Sequence, residues 1–164
     1  MNRYHTMLLD RLEQSGDDLL GFLGRLSAEE IKRVPAPGEW SLHAVLAHLR
    51  DTEQHVFLKR ARLILEGAAP PAVESFDQDQ WNRDHYSPAE PVEKIVRDFR
   101  AARRQLLKRL RATRDRDWTR YALHPQYGNI SIEWLVTHNY SHMLEHLHQL
   151  LNLREEKLLK AANP

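Results

Sequence analysis

At 164 residues the chain has room for one domain with a sizeable core and no evident second one. Its 24 Lys+Arg against 23 Asp+Glu leave no basic excess for nucleic acid. With no cysteine there are no disulfides, thiolate ligands or cysteine nucleophiles, so any metal must be held by nitrogen and oxygen, and ten histidines are available.

The N-terminal run MNRYHTMLLDRLEQSGDD carries a charge every few residues and reads as neither a signal peptide nor a membrane span. No later stretch is long enough to cross a bilayer, so a cytoplasmic protein with no membrane or nucleic-acid partner is expected. Over residues 3–26, Met7, Leu8, Leu12, Leu19, Phe22, Leu23 and Leu26 recur at helical steps, and Gly16, Gly21 and Gly24 weaken the second half. Ser27 and Glu30 form a capping-box pattern for one extra turn, and the Pro35–Gly38 stretch then breaks the chain.

Ser41 is the expected N-cap of a second helix running from 42 to about 66. Its apolar face carries Leu42, Val45, Leu46, Leu49, Val56, Phe57, Leu63 and Ile64, with His48 at one edge and His55 on the same line. Glu53 falls inside the apolar arc, where a lone carboxylate is costly. It reads either as a packing contact, to Arg60 or a histidine, or as a functional carboxylate. Residues 67–86 form a long connection with Phe76, Trp81 and Tyr86 as aromatic anchors, which read either as closing a bundle end, the favoured reading, or as a short helix from Trp81-Asn82 over the open end of a pocket.

Ser87-Pro88-Ala89-Glu90 has the pattern of a helix start, and the third helix is expected to run to about Thr113. Arg103 sits among its apolar positions. Arg100, Arg104, Lys108, Arg109 and Arg111 face outward, so the basic run is a solvated face. Residues 114–130 read as irregular, with no alternating strand pattern, and Ser131 caps a fourth helix reaching about Leu159 ahead of a frayed tail at 160–164. The architecture expected over residues 1–164 is a single all-α domain, a four-helix bundle with long crossover connections.

In the fourth helix, THNYSHMLEHLHQL spans Thr137–Leu150 and places His138, His142 and His146 at four-residue steps, with Gln149 continuing the stripe. At roughly 100° per residue, His142 and His146 stand about 40° apart, one turn above the other. Leu135 and Leu153 fall within about 20° of His142, so the stripe borders the core. Polar groups at such a border need partners, and two imidazoles one turn apart can share a metal ion. A third ligand must come from another helix, and His48 is the best placed.

The run PGEWSLHAVLAHLRDTE from Pro37 to Glu53 resembles the "EWS…HL…E" signature of the DinB/YfiT-like superfamily. Trp81, Tyr86 and Phe99-Arg100-Ala101-Ala102-Arg103 resemble its middle segment. His124-Pro125, Gly128, Ser131, His142, His146 and Gln149 resemble its C-terminal one. The resemblance implies a four-helix bundle holding one divalent metal (Zn, Ni, Fe or Mn) on His48, His142 and His146, in a chain that pairs as a homodimer. It further implies either transfer of a low-molecular-weight thiol or hydrolysis of a small-molecule substrate. Glu53 and His138 are then candidate catalytic groups, while Gln149 and Arg103 are candidates for holding a ligand or an anionic cofactor. Trp40, Trp81 and Trp118 are candidate pocket walls. The alternative class is a non-catalytic, metal-stabilised scaffold or sensor, in which replacing His48 lowers stability and there is no activity to lose.

Overall fold

A computed structural model describes residues 1–162, without the side chains of 156, 157 and 160–162. Four long helical segments make the bundle: α1 (Arg3–Leu23), a second helix over 42–66, α6 (Val92–Arg111) and α7 (Ile132–Ala162). Short elements lie between them: α2 (Ala28–Lys32), α5 (Gln78–His85), a 3₁₀ turn (Asp115–Asp117), and the strands β1 (Tyr121–His124) and β2 (Gly128–Ser131). Side-chain caps set several starts. Asn2 accepts from the His5 N–H, Ser27 and Glu30 close a capping box, and Ser41 accepts from the Ala44 N–H. Each satisfies a backbone donor that the first helical turn leaves free.

The second helix is continuous but not uniform. It is α-helical over α3 (Leu42–Thr52), π-helical over Glu53–Leu58, and α-helical again over α4 (Lys59–Glu66). The wider turn starts at Glu53 and shifts the register of everything after it. The expected Glu53–Arg60 contact does not form; the Arg60 guanidinium donates to the Glu74 carbonyl at 2.6 Å.

The third helix starts later than its sequence pattern suggests. Ser87 and Glu90 close a turn through a backbone hydrogen bond of 3.1 Å, and the helix begins after Pro91. The Glu90 carboxylate, expected to cap Ser87, is drawn to Arg50 at 2.9 Å and to Lys94. Residues 114–130 are likewise more regular than expected. Tyr121–His124 and Gly128–Ser131 form an antiparallel hairpin that pairs Ala122 with Ile130, and Gly128, at φ 68°, supplies the left-handed turn residue. Val73 N–H donates to the Leu123 carbonyl at 3.0 Å, tying the long connection to this hairpin. α7 is described to Ala162, and the last two residues of the expected frayed tail lie outside the described residues.

α1 packs against α7 and α6, and the second helix packs against α6 and touches α7. The interior divides into two apolar clusters. One gathers Leu9, Leu12, Ala61, Ile64, Leu106, Leu110, Ile130 and Ile132; the other gathers Leu19, Val45, Leu49, Ile95, Phe99, Met143 and Leu150. Between them, every long helix contributes a small or polar position: Ser15 and Gly16, Glu53, Arg103, and Asn139. Among the described residues, no helix is long and apolar enough to cross a membrane.

Candidate metal centre

α3 buries all of its residues, and His48 among them is 6% exposed. His142 and His146 stand one turn apart on α7, half-buried, and face His48 across the seam between the two helices. The Nε2 atoms of His48 and His142 are 3.0 Å apart, and those of His142 and His146 are 3.2 Å apart. One ring nitrogen from each of the three lies within 4.8 Å of the others, a cluster able to hold a metal ion. Imidazole nitrogens bound at about 2.0–2.1 Å to one tetrahedral or octahedral ion stand about 3.0–3.4 Å apart, so both measured spacings fit the donor set.

The supporting contacts differ around the cluster. His146 Nδ1 donates to the Gln149 side-chain oxygen at 3.2 Å, which places the proton there and leaves the Nε2 lone pair facing the other rings. Trp40 packs edge-on against His48, with ring centres 5.3 Å apart. His142 Nδ1 is buried without a hydrogen-bond partner, so neither nitrogen of that ring meets a carboxylate, carbonyl or hydroxyl. Burial, reinforced by neighbouring imidazoles, pushes the pKa of His48 down to about 4 and that of His142 to about 3; burial also lowers His146. All three are therefore neutral near pH 7, the form that coordinates metal.

A cleft of about 420 Å³ opens beside His146, lined by Trp40 and Val45 on one side and Gln149, Glu39, Gln78 and Asp79 on the others. A larger cleft, about 680 Å³, has no histidine among its described lining residues and lies toward the α1–α2 end of the bundle. Volume alone points away from the histidines; the convergence of donor nitrogens points to the smaller cleft.

The remaining candidates separate into three groups. Glu53 and Arg103, expected as a catalytic carboxylate and an anion holder, are paired with each other. Arg103 donates from Nε and Nη2 to the two Glu53 oxygens at 2.7 and 2.9 Å, and from Nη1 to the Leu12 carbonyl at 2.5 Å. Asn139 completes the layer by donating to Glu53 at 3.1 Å. All three side chains are buried, Glu53 and Asn139 to 1% exposure. Both charges are thus satisfied inside the core and neither faces the cleft. Asn139 was not singled out in the sequence, although a lone amide on the apolar arc between Val136 and Met143 was a usable signal.

His138 and His55 remain exposed at the edges. His138 stacks on Trp134 with ring centres 4.6 Å apart, and His55 packs against Trp81 at 4.7 Å. The three tryptophans diverge. Trp40 lines the cleft, Trp81 donates to the Asp51 carboxylate at 3.0 Å, and Trp118 is fully buried, stacked on His5 at 3.8 Å. Trp118 therefore belongs to the apolar cluster of Leu9, Leu12 and Leu110 and does not line the cleft beside His146. A further buried network, in which Arg50 Nε donates to Asp51 at 2.7 Å, fixes α5 to α3 through Trp81.

Three imidazoles meeting across one seam of a crossover bundle define a protein built to place side chains from facing helices around a common point, as metal-binding bundles do. The DinB superfamily model matches residues 11–150, and the chain belongs to that superfamily. Among solved structures it is similar to YfiT from Bacillus subtilis, described as a probable metal-dependent hydrolase with an unusual four-helix bundle topology. That likeness has 17% identity and a TM-score of 0.84, covering 96% of this chain and 90% of the other. No curated protein sequence matches the chain.

Proposed function

We propose that this protein is a metal-dependent enzyme of the hydrolase type. His48, His142 and His146 hold one divalent transition metal (zinc, nickel, iron or manganese), and the substrate enters through the cleft beside His146. The observation that carries the reading is the approach of three neutral imidazole nitrogens at coordination spacing, with a cleft beside His146. YfiT's description as a probable metal-dependent hydrolase supports the same class. When bound there, the ion supplies Lewis acidity that makes a nucleophile available near neutral pH.

The chain's own residues divide the remaining tasks. Gln149 orients the His146 ring through Nδ1, Trp40 excludes water from the His48 side, and His138, one turn before His142 and still exposed, carries protons to solvent. Glu53 and Arg103 act at one remove, by fixing the helices that present the histidines. A low-molecular-weight thiol used in place of water is the second version of this reading, favoured by the motif resemblance alone. The cluster is complete within one chain, so a homodimer would be a pairing of finished sites.

Zinc-loaded and metal-free protein are to be assayed against a panel of p-nitrophenyl esters, and against several thiols with a chlorinated aromatic electrophile. Metal-dependent ester turnover lost in His142→Ala supports the hydrolase. Turnover only with a thiol moves the assignment to transfer, and no metal-dependent turnover in either panel overturns the enzymatic reading.

A further inference from the structure

We propose that the substrate of this site carries an apolar arm, and that the arm lies in the larger cleft. The inference rests on the metal-centre reading above. The two clefts adjoin, because Pro35 and Leu153 line both of them. Beyond that junction the larger cleft is walled by Phe22, Leu26, Leu42 and Leu150. Its volume of about 680 Å³ lies within the range of small-molecule pockets, which are mostly apolar with few polar groups. Its described lining has no histidine, serine, threonine or tyrosine; Glu29, Glu30, Lys32, Arg33 and Arg154 supply its polar groups, and the Glu30 carboxylate accepts the Ser27 backbone N–H at 2.8 Å. The larger cleft is therefore a binding surface for the non-reacting part of whatever reaches the histidines.

Helix geometry supplies a ruler. His146 lines the smaller cleft, Leu150 the larger, and Leu153 both. These positions are four and seven residues apart along α7, or roughly 6 and 10 Å at the α-helical rise. An acyl, alkyl or aryl arm that leaves the smaller cleft at the Leu153 junction gains contact over an interval that begins roughly 10 Å along the helix from His146. Each methylene buried over that interval should raise affinity about three- to fourfold, and methylenes before it very little.

The test uses straight-chain hydroxamates, from acetohydroxamate to dodecanohydroxamate, titrated calorimetrically into zinc-loaded protein. Affinity should stay level for the shortest chains, climb through the middle of the series and then level off. Leu26→Asn, a half-buried position that lines only the larger cleft, should flatten the climb while acetohydroxamate binds as before; Phe22→Asn, also half-buried and in the larger cleft alone, is the second variant should the first fold poorly. A series with no length dependence in the wild type overturns the inference and leaves the metal centre intact. Failure of acetohydroxamate to bind zinc-loaded protein better than metal-free protein counts instead against the metal centre. The arm site is then read alone, by displacement of anilinonaphthalenesulfonate from metal-free protein with decanol. Displacement from the wild type and its loss in Leu26→Asn support the inference; no displacement overturns it.

Discussion

Two polar clusters sit a turn apart inside the same bundle and are built on opposite principles. In the Glu53–Arg103–Asn139 layer, opposite charges meet, the two Glu53 oxygens and the guanidinium nitrogens have partners, and no side chain is left to face a ligand. In the His48–His142–His146 cluster, like groups meet through their lone pairs, one ring nitrogen has no partner, and a cleft opens alongside. A buried polar network that is fully satisfied rigidifies its surroundings, whereas one that is unsatisfied costs stability unless something completes it. The difference teaches where to look for function: in the cluster that the protein alone leaves incomplete.

The comparison is broken most severely at the closed layer. Glu53→Ala strands a buried guanidinium and should cost about 3–5 kcal/mol in denaturant unfolding. The double replacement Glu53→Met/Arg103→Met removes both charges and should cost less than either single change. Metal content should stay unchanged in any of these variants that fold. A large loss of metal from folded Glu53→Ala protein would show that the two clusters are one functional unit.

Acid should act mainly on the open cluster. His48 and His142 have folded pKa values of about 4 and about 3, below the ordinary imidazole value, so the unfolded chain takes up protons first. The metal-free protein should therefore lose stability as pH falls below about 6.5, and go on losing it down to the folded values. Melting temperature between pH 7 and 4.5 checks this, and a flat profile would mean the rings are not buried as seen. The same shifts bear on metal affinity, which for ordinary imidazoles falls as pH drops through about 6.5. Burial lowers the proton affinity of all three rings, so the fall in metal affinity should come at lower pH than for exposed imidazoles. The smallest effect belongs to Gln149→Ala. It removes an exposed partner of His146 and should weaken metal binding about tenfold with little change in folding stability.

Much of this arrangement was legible in the chain, for identifiable reasons. The caps at Ser27 and Ser41 and the apolar periods of the long helices are local signals, and local structure follows them. The histidine stripe could be read because its members lie on one helix at four-residue steps, and His48 because the motif run and its helix edge both pointed to it. What was missed is non-local. The π-helical turn at Glu53 has no sequence mark, and without it Arg60 remained on the same face and drew the pairing away from Arg103. Four-residue strands are too short for alternation to show, so the hairpin was invisible. Ser87–Glu90 carried a sound capping pattern, but Arg50 and Lys94 compete for the same carboxylate, and Arg50 comes from a distant part of the chain.

The most direct measurement is the metal content of protein purified without a histidine tag. Elemental analysis should find close to one divalent transition metal per chain in the wild type, and almost none in folded His48→Ala/His142→Ala/His146→Ala protein. A wild type that takes up no stoichiometric metal when zinc, nickel, iron or manganese is supplied, or a triple variant that keeps its metal, would contradict the account.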